Sequence, residues 1–187
     1  MKNLLIILIF MATLSCGNSL TEKEKQEYTN KGKEIAQNSF NALSEKLTAQ
    51  MKLGGPAQAI PFCNVEAIPL TQQLSDKYEV TIKRTSDKLR NSANKPSERE
   101  LEIINTYHQL ISSNQAAKPI VEVDSNNKKH FYAPIIMKAN CLTCHGKNEE
   151  FMGVKTDSII KSLYPNDKAI GYNEGDLRGI WSITFEK

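Results

Sequence analysis

Two thiols and an imidazole stand within five residues, in the run Cys141-Leu142-Thr143-Cys144-His145. Thiols three positions apart can add to the two vinyl groups along one edge of a porphyrin. The adjacent imidazole can then bind the iron from the proximal side. Cys-x-x-Cys-His is accordingly the attachment signature of a c-type haem. It predicts one covalent haem c held by Cys141 and Cys144, with His145 as a metal ligand. Two other chemistries use similar residues. A haem-free dithiol redox protein needs only the two thiols, normally in a βαβ setting that does not surround this segment. A zinc site would recruit Cys63 as a further ligand, yet neighbouring Cys144 and His145 do not easily turn onto one tetrahedral ion.

The start of the chain fits a cofactor attached outside the cytoplasm. Met1-Lys2-Asn3 is a short basic start, and Leu4 to Leu14 is an apolar run shorter than the roughly 20 residues a membrane span needs. The run ends in Thr13-Leu14-Ser15-Cys16-Gly17, which looks like a bacterial lipobox, although a leucine is usual where Thr13 stands. This predicts a signal peptide over 1–15 and a lipid on Cys16; the alternative is ordinary secretion with Cys16 lost or left free. A multi-chain lipid holds a protein stably on a membrane where a single chain does not. The expected location is the bacterial cell envelope, on its periplasmic or extracellular face. With Cys16, Cys141 and Cys144 assigned, Cys63 is left alone among the four cysteines, so no disulfide framework is expected. A net charge of +3, without a basic patch interleaved with aromatics, argues against nucleic acid.

The elements that must position these groups follow from periodicity. Residues 16–31 are polar and read as a lipid-anchored tether that could already be helical, with the haem domain over 32–187. Tyr28, Ile35, Phe40, Leu43, Leu47 and Met51 recur at helical spacing, and Gly54-Gly55 stops the pattern. Pro56 suits the first turn of a second helix. Ile60, Cys63, Ala67, Leu70 and Leu74 define its apolar face, with a kink expected at Pro69. Strands are predicted at 79–85, 119–123, 130–137 and 177–185, the middle pair joined by a hairpin turn at Asp124-Ser125-Asn126-Asn127. Ser97 with Glu100 is a capping-box pattern opening a helix to about Ser113, and a short helix is expected near 158–163. Helices first and a mostly antiparallel sheet last make an α+β fold.

This order of motifs resembles an exported c-type haem domain family with a PAS-like fold, long listed as of unknown function, whose members also serve as sensor modules. The residues that carry the resemblance are Ala59-Ile60-x-x-Cys63, Arg84-Thr85-Ser86, Arg90-Asn91-x-x-Asn94-x-Pro96, Tyr132-x-Pro134 and the haem motif with Gly146. Tyr164-Pro165-x-Asp167-x-Ala169-x-Gly171-Tyr172 and Gly175-Asp176-x-Arg178-Gly179 complete it, so it runs from about Ile35 to Phe185. The resemblance implies a PAS-like antiparallel sheet flanked by helices, behind a long N-terminal helix. It also implies histidine and cysteine on opposite faces of the iron, which by position are His145 and Cys63. From its helix face alone, Cys63 reads first as a small buried hydrophobe. No transmitter domain is expected, since the sequence ends at Lys187.

Other residues compete for roles at the site. Met137, Met152, His108 and His130 are alternative sixth ligands. His108 reads as a core histidine, and His130 as solvated beside the hairpin. Arg84, Arg90 and Arg178 could pair with haem propionates, for which a guanidinium is well shaped, or form ordinary salt bridges. Tyr164 and Tyr172 could bond a propionate or fill the core. Two classes of function follow. One is a non-catalytic haem module that senses redox state or small ligands such as NO or CO, or passes electrons to an unknown redox or signalling protein. The other is a peroxidase-like haem enzyme, which needs an open iron position and an acid–base group beside it. Thiolate from Cys63 in that position excludes the enzyme.

Overall fold

The computed structural model describes residues 19–147 and 152–186. The predicted signal peptide and Cys16 lie outside these residues. Four helices and four strands form the expected α+β architecture: α1 (Glu22–Tyr78), β1 (Val80–Thr85), α2 (Glu98–Ser112), β2 (Ile120–Val123), β3 (Lys129–Ile136), α3 (Leu142–His145), α4 (Gly153–Leu163) and β4 (Leu177–Phe185). The strands make one sheet in the order β1-β4-β3-β2, antiparallel throughout.

Period-two alternation gives this sheet two apolar faces. Trp181, Ile183 and Phe185 of β4 join Phe131 of β3 and Ile82 of β1 against Ile35 and Ala36 of α1. On the other face Ile180, Leu177 and Tyr132 meet Ile103, Ile104 and Tyr107 of α2. The hydroxyl of Tyr107 donates to the carbonyls of Lys118 and Tyr132, pinning α2 across the sheet.

α1 is two helices joined at a break. Thr21 and Glu24 form a capping box at its start, and only Gly54 and Gly55 depart from helical geometry, Gly55 at φ +63°. That left-handed value suits glycine, and Pro56 then opens the second arm. The two arms fold back on each other: Asn38 Nδ2 donates to the Tyr78 hydroxyl at 3.0 Å, and Leu43 and Leu74 border the same core. Residues 22–31, read as tether, are therefore the first turns of a packed helix, with Tyr28 edge-on to Phe185 at 4.9 Å between centroids. Nor does Pro69 interrupt the second arm. The ring lies on the exposed side, and the carbonyl it leaves without a donor belongs to exposed Val65, where water can reach it.

Two tight fits test this description. A Cβ on Gly32 would stand 2.2 Å from Cγ of Phe131, which is fully buried. Gly32→Ala gains helix propensity but overpacks, and a net loss of about 2 kcal/mol is expected by urea denaturation. Glu100 accepts from the Lys83 ammonium at 2.6 Å and the Ser97 amide at 2.7 Å. Burial pushes its carboxyl up, but these donors outweigh it and leave the group below its ordinary value. Its stabilisation is therefore present above the unfolded value of about 4.3 and is lost as the pH falls through the lower folded value. Glu100→Gln should lose about 2 kcal/mol at pH 7, with the gap to wild type closing in denaturation curves taken below pH 4.

Candidate functional site

The Cys141–His145 segment is held from both sides by main-chain bonds. After β3, the Met137 amide donates to the Asp176 carbonyl at 2.9 Å, and the Gly175 amide donates back to Met137 at 3.0 Å. A 3₁₀ turn, Ala139–Cys141, leads into the single turn of α3. The loop from Tyr164 to Tyr172 then docks on it, with the Gly171 and Tyr172 amides donating to the Gly146 and His145 carbonyls, both at 3.0 Å. Two small apolar clusters flank the motif. Met137, Leu142, Ala169 and Tyr172 pack beside Cys141, and Ile60, Met152, Ile160 and Tyr164 beside Cys144.

His145 is held in one tautomer. Its Nδ1 lies 2.7 Å from the Ala169 carbonyl oxygen. A carbonyl only accepts, so Nδ1 carries the proton and Nε2 keeps its lone pair. Burial pushes the imidazole well below its ordinary pKa; Arg90 and Arg178 push the same way, and the Ala169 bond opposes them. A neutral imidazole whose second nitrogen is fixed by a carbonyl is the usual metal-ligating form.

Cys63 lies one helical turn beyond Ile60, on the α1 arm that packs against Cys144. Burial raises its thiol pKa, while the charges of Arg84 and Arg90 pull it down. Burial likewise raises Cys144, Arg90 opposes, and the charges of Cys63 and Cys141 add to the rise. The fold thus brings Cys63 and Cys141 each within electrostatic reach of Cys144, all as free thiols. Among the described residues no three His, Cys, Asp or Glu side chains converge as a metal-holding group.

The three arginines differ in what they touch. Arg90 donates from Nε and Nη2 to Asp167 Oδ2 at 3.2 and 3.0 Å, and from Nη2 to the carbonyls of Cys144 at 2.6 Å and Ala169 at 3.2 Å. Arg84 lies over the Trp181 ring, and Arg178 lies over the Tyr172 ring and donates to the Lys88 carbonyl. Neither makes an ion pair among the described residues. Burial lowers the pKa of both, and Arg178 depresses Arg84 further. Arg178 is the extra residue of a β-bulge, since Ile135 pairs with Gly179 and Ile136 with Leu177. A bulge re-aims a side chain, which explains how a strand residue joins this edge cluster. The Tyr172 hydroxyl is buried beside Ser86 and Arg178 without a well-formed hydrogen bond to either, and its ring stands edge-on to His145.

The other candidate ligands separate by position. His108, read as a core histidine, is exposed on α2 and faces Asp87. His130, read as solvated, is mostly buried, with its ring nitrogens on Thr184 and Asp124. Met137 and Met152 are buried beside the motif. Sequence periodicity gave no role to Asp167 and the Ala169 carbonyl. Asp167 Oδ1 accepts the Ala169 amide at 2.8 Å, the two-residue reach of an Asx turn. The run Pro165-Asn166-Asp167 is a signal for such a turn.

No curated protein matches this chain. A solved structure, described as that of the cyanobacterial heme-protein Tll0287, superposes with a TM-score of 0.56 at 20% identity, covering 88% of this chain and 96% of that one. At that identity the likeness establishes a shared fold. The model of the Tll0287-like family matches residues 20–185, nearly everything that is described, and the chain therefore belongs to the Tll0287-like family.

Proposed function

We propose that this protein is a lipid-anchored c-type haem protein of the bacterial cell envelope, facing the periplasm or the exterior. One haem would be bound covalently by Cys141 and Cys144, with His145 and Cys63 as axial ligands. Its role would be redox or small-ligand sensing, or electron transfer to a protein partner. The observation that carries the reading is His145 beside its attachment cysteines: neutral, with Nδ1–H committed to Ala169 and Nε2 left to bind. The structural relative described as a heme-protein supports it.

The remaining residues fit the same group. Arg84 and Arg178 are part-buried cations without a carboxylate partner among the described residues, and the Tyr172 hydroxyl beside Arg178 has no well-formed hydrogen bond. Two propionates would supply charge and acceptors for these groups. Arg90 serves otherwise, since Asp167 already holds its Nε and Nη2. When bound, the iron would supply a one-electron couple, whose potential is set by axial ligands and burial.

Attachment is tested on protein matured with haem-attachment machinery. Cys141→Ser with Cys144→Ser should abolish the haem that survives acid–acetone extraction, read by the pyridine haemochrome. Its presence in that double variant, or its absence from wild type, would sink covalent attachment. Ligation is tested by low-temperature EPR of the ferric protein. The expected signal is low-spin with the narrow g-spread of thiolate ligation, lost in Cys63→Ser. A wide g-spread would instead name a methionine or a second histidine, and a high-spin signal would put an open iron and peroxidase-like chemistry first.

A further inference from the structure

We propose that Arg90 and Asp167 form a positioning pair that sets how strongly His145 donates to its metal, acting through the Ala169 carbonyl. This rests on the haem reading above. The Ala169 oxygen accepts twice, from His145 Nδ1 at 2.7 Å and from Arg90 Nη2 at 3.2 Å. The same Nη2 holds the Cys144 carbonyl at 2.6 Å, on the peptide that leads into His145. Asp167 closes the circuit. Oδ2 accepts from Arg90 and Oδ1 accepts the Ala169 amide at 2.8 Å. The two side chains are only 13% and 5% exposed, so solvent and salt screen them little.

A cation on the Ala169 oxygen draws its lone-pair density away from Nδ1–H. The imidazole then keeps less imidazolate character and is a weaker donor, because the partner of the second nitrogen sets the basicity of the first. A weaker donor stabilises ferric iron less. The positive charge of Arg90 acts in the same direction, and the negative charge of Asp167 acts against it. Removing either partner should therefore move the potential in opposite senses. In the couple one electron enters at the iron, supplied by dithionite in the titration. Nδ1–H stays in place, and no bond of the protein forms or breaks.

The experiment is a spectroelectrochemical titration of the full haem-loaded chain and of Arg90→Gln, Arg90→Lys and Asp167→Asn, with ferric EPR of each. Arg90→Gln should shift the equilibrium about tenfold toward ferric, which is ~59 mV downward for a one-electron couple. Asp167→Asn should shift it upward by a similar factor. Arg90→Lys, which restores the charge without the fork, should fall between Arg90→Gln and wild type. The low-spin g-values of Arg90→Gln and Asp167→Asn should move in opposite senses. Shifts of one sign in both, or potentials equal to wild type, overturn the pair. Potentials that move while the g-values stay fixed overturn the route through His145, leaving a bare charge effect. Should Arg90→Gln fail to fold, Asp167→Asn, which keeps an acceptor for the Ala169 amide, and Arg90→Lys decide the matter. Wild type without covalent haem would overturn the proposed function itself, and this inference with it.

Discussion

The reversal at Gly54 and Gly55 is the constraint on which the rest of the structure depends. As one straight helix, the 57 residues of α1 would stretch about 85 Å at 1.5 Å per residue. The first arm would then cover the sheet, and the second would point into solvent. Folding back lets both arms border one core, where Tyr28 and Leu43 meet Leu74 and Tyr78. It also lays Ile60 against α4 and brings Cys63 toward Cys144. A glycine at φ +63° followed by proline makes the reversal local, so neither arm is distorted. The joint lies far from the haem motif in sequence, yet it places one of the three thiols.

The sheet supplies rigidity and the site occupies its margin. Both faces are covered, by α1 and by α2, so the strands have little freedom to shift register. The chemistry-bearing residues then come from what leaves the sheet. Arg84 lies near the end of β1, Arg90 in the loop beyond it, the haem motif after β3, and Arg178 at a bulge near the start of β4. Segments so distant in sequence need ties, and the ties are main-chain bonds joining 137 to 175–176, 145–146 to 171–172, and Leu89 to Lys168. Arg90 and Asp167 add a charged tie. Their carboxylate–guanidinium contact is largely buried, where breaking one partner costs more than at a surface.

Much of this was legible in the sequence, for physical reasons that can be named. All four strands were located within a residue or two, the first by alternation and the others as apolar runs bounded by turn residues. The Ser97–Glu100 capping box and the Asp124 hairpin were legible because each is a local hydrogen-bond pattern. The start of α1 stayed open in the sequence, since the apolar residues of 20–31 are sparse and of these Leu20 and Tyr28 touch the core. Pro69 misled because its effect depends on which side of the helix faces water, which periodicity alone underweighted. His108 and His130 were read the wrong way round for a similar reason: burial there is decided by partners on other elements. Within the site, Cys141, Cys144 and His145 announce themselves by spacing. The Ala169 carbonyl does not, because a backbone acceptor has no residue type.

The field around the thiols bears on how a site of this kind stays ready. Burial raises Cys63, so without a metal the sulfur is held as a neutral thiol. Arg84 and Arg90 offset part of that penalty. A metal cation deprotonates a coordinating thiol outright. On the proposed ligation, therefore, the arginines reduce the free energy needed to form the thiolate, and the buried setting raises it again whenever the sulfur lets go. Burial above all, with Arg90 and Arg178, keeps His145 neutral, so Arg90 biases both proposed ligands. A site biased in this way couples ligand protonation to the charge on the metal. That coupling is the physical requirement for a redox-dependent change of ligand, and a pair of ligands insulated from titratable surroundings would lack it.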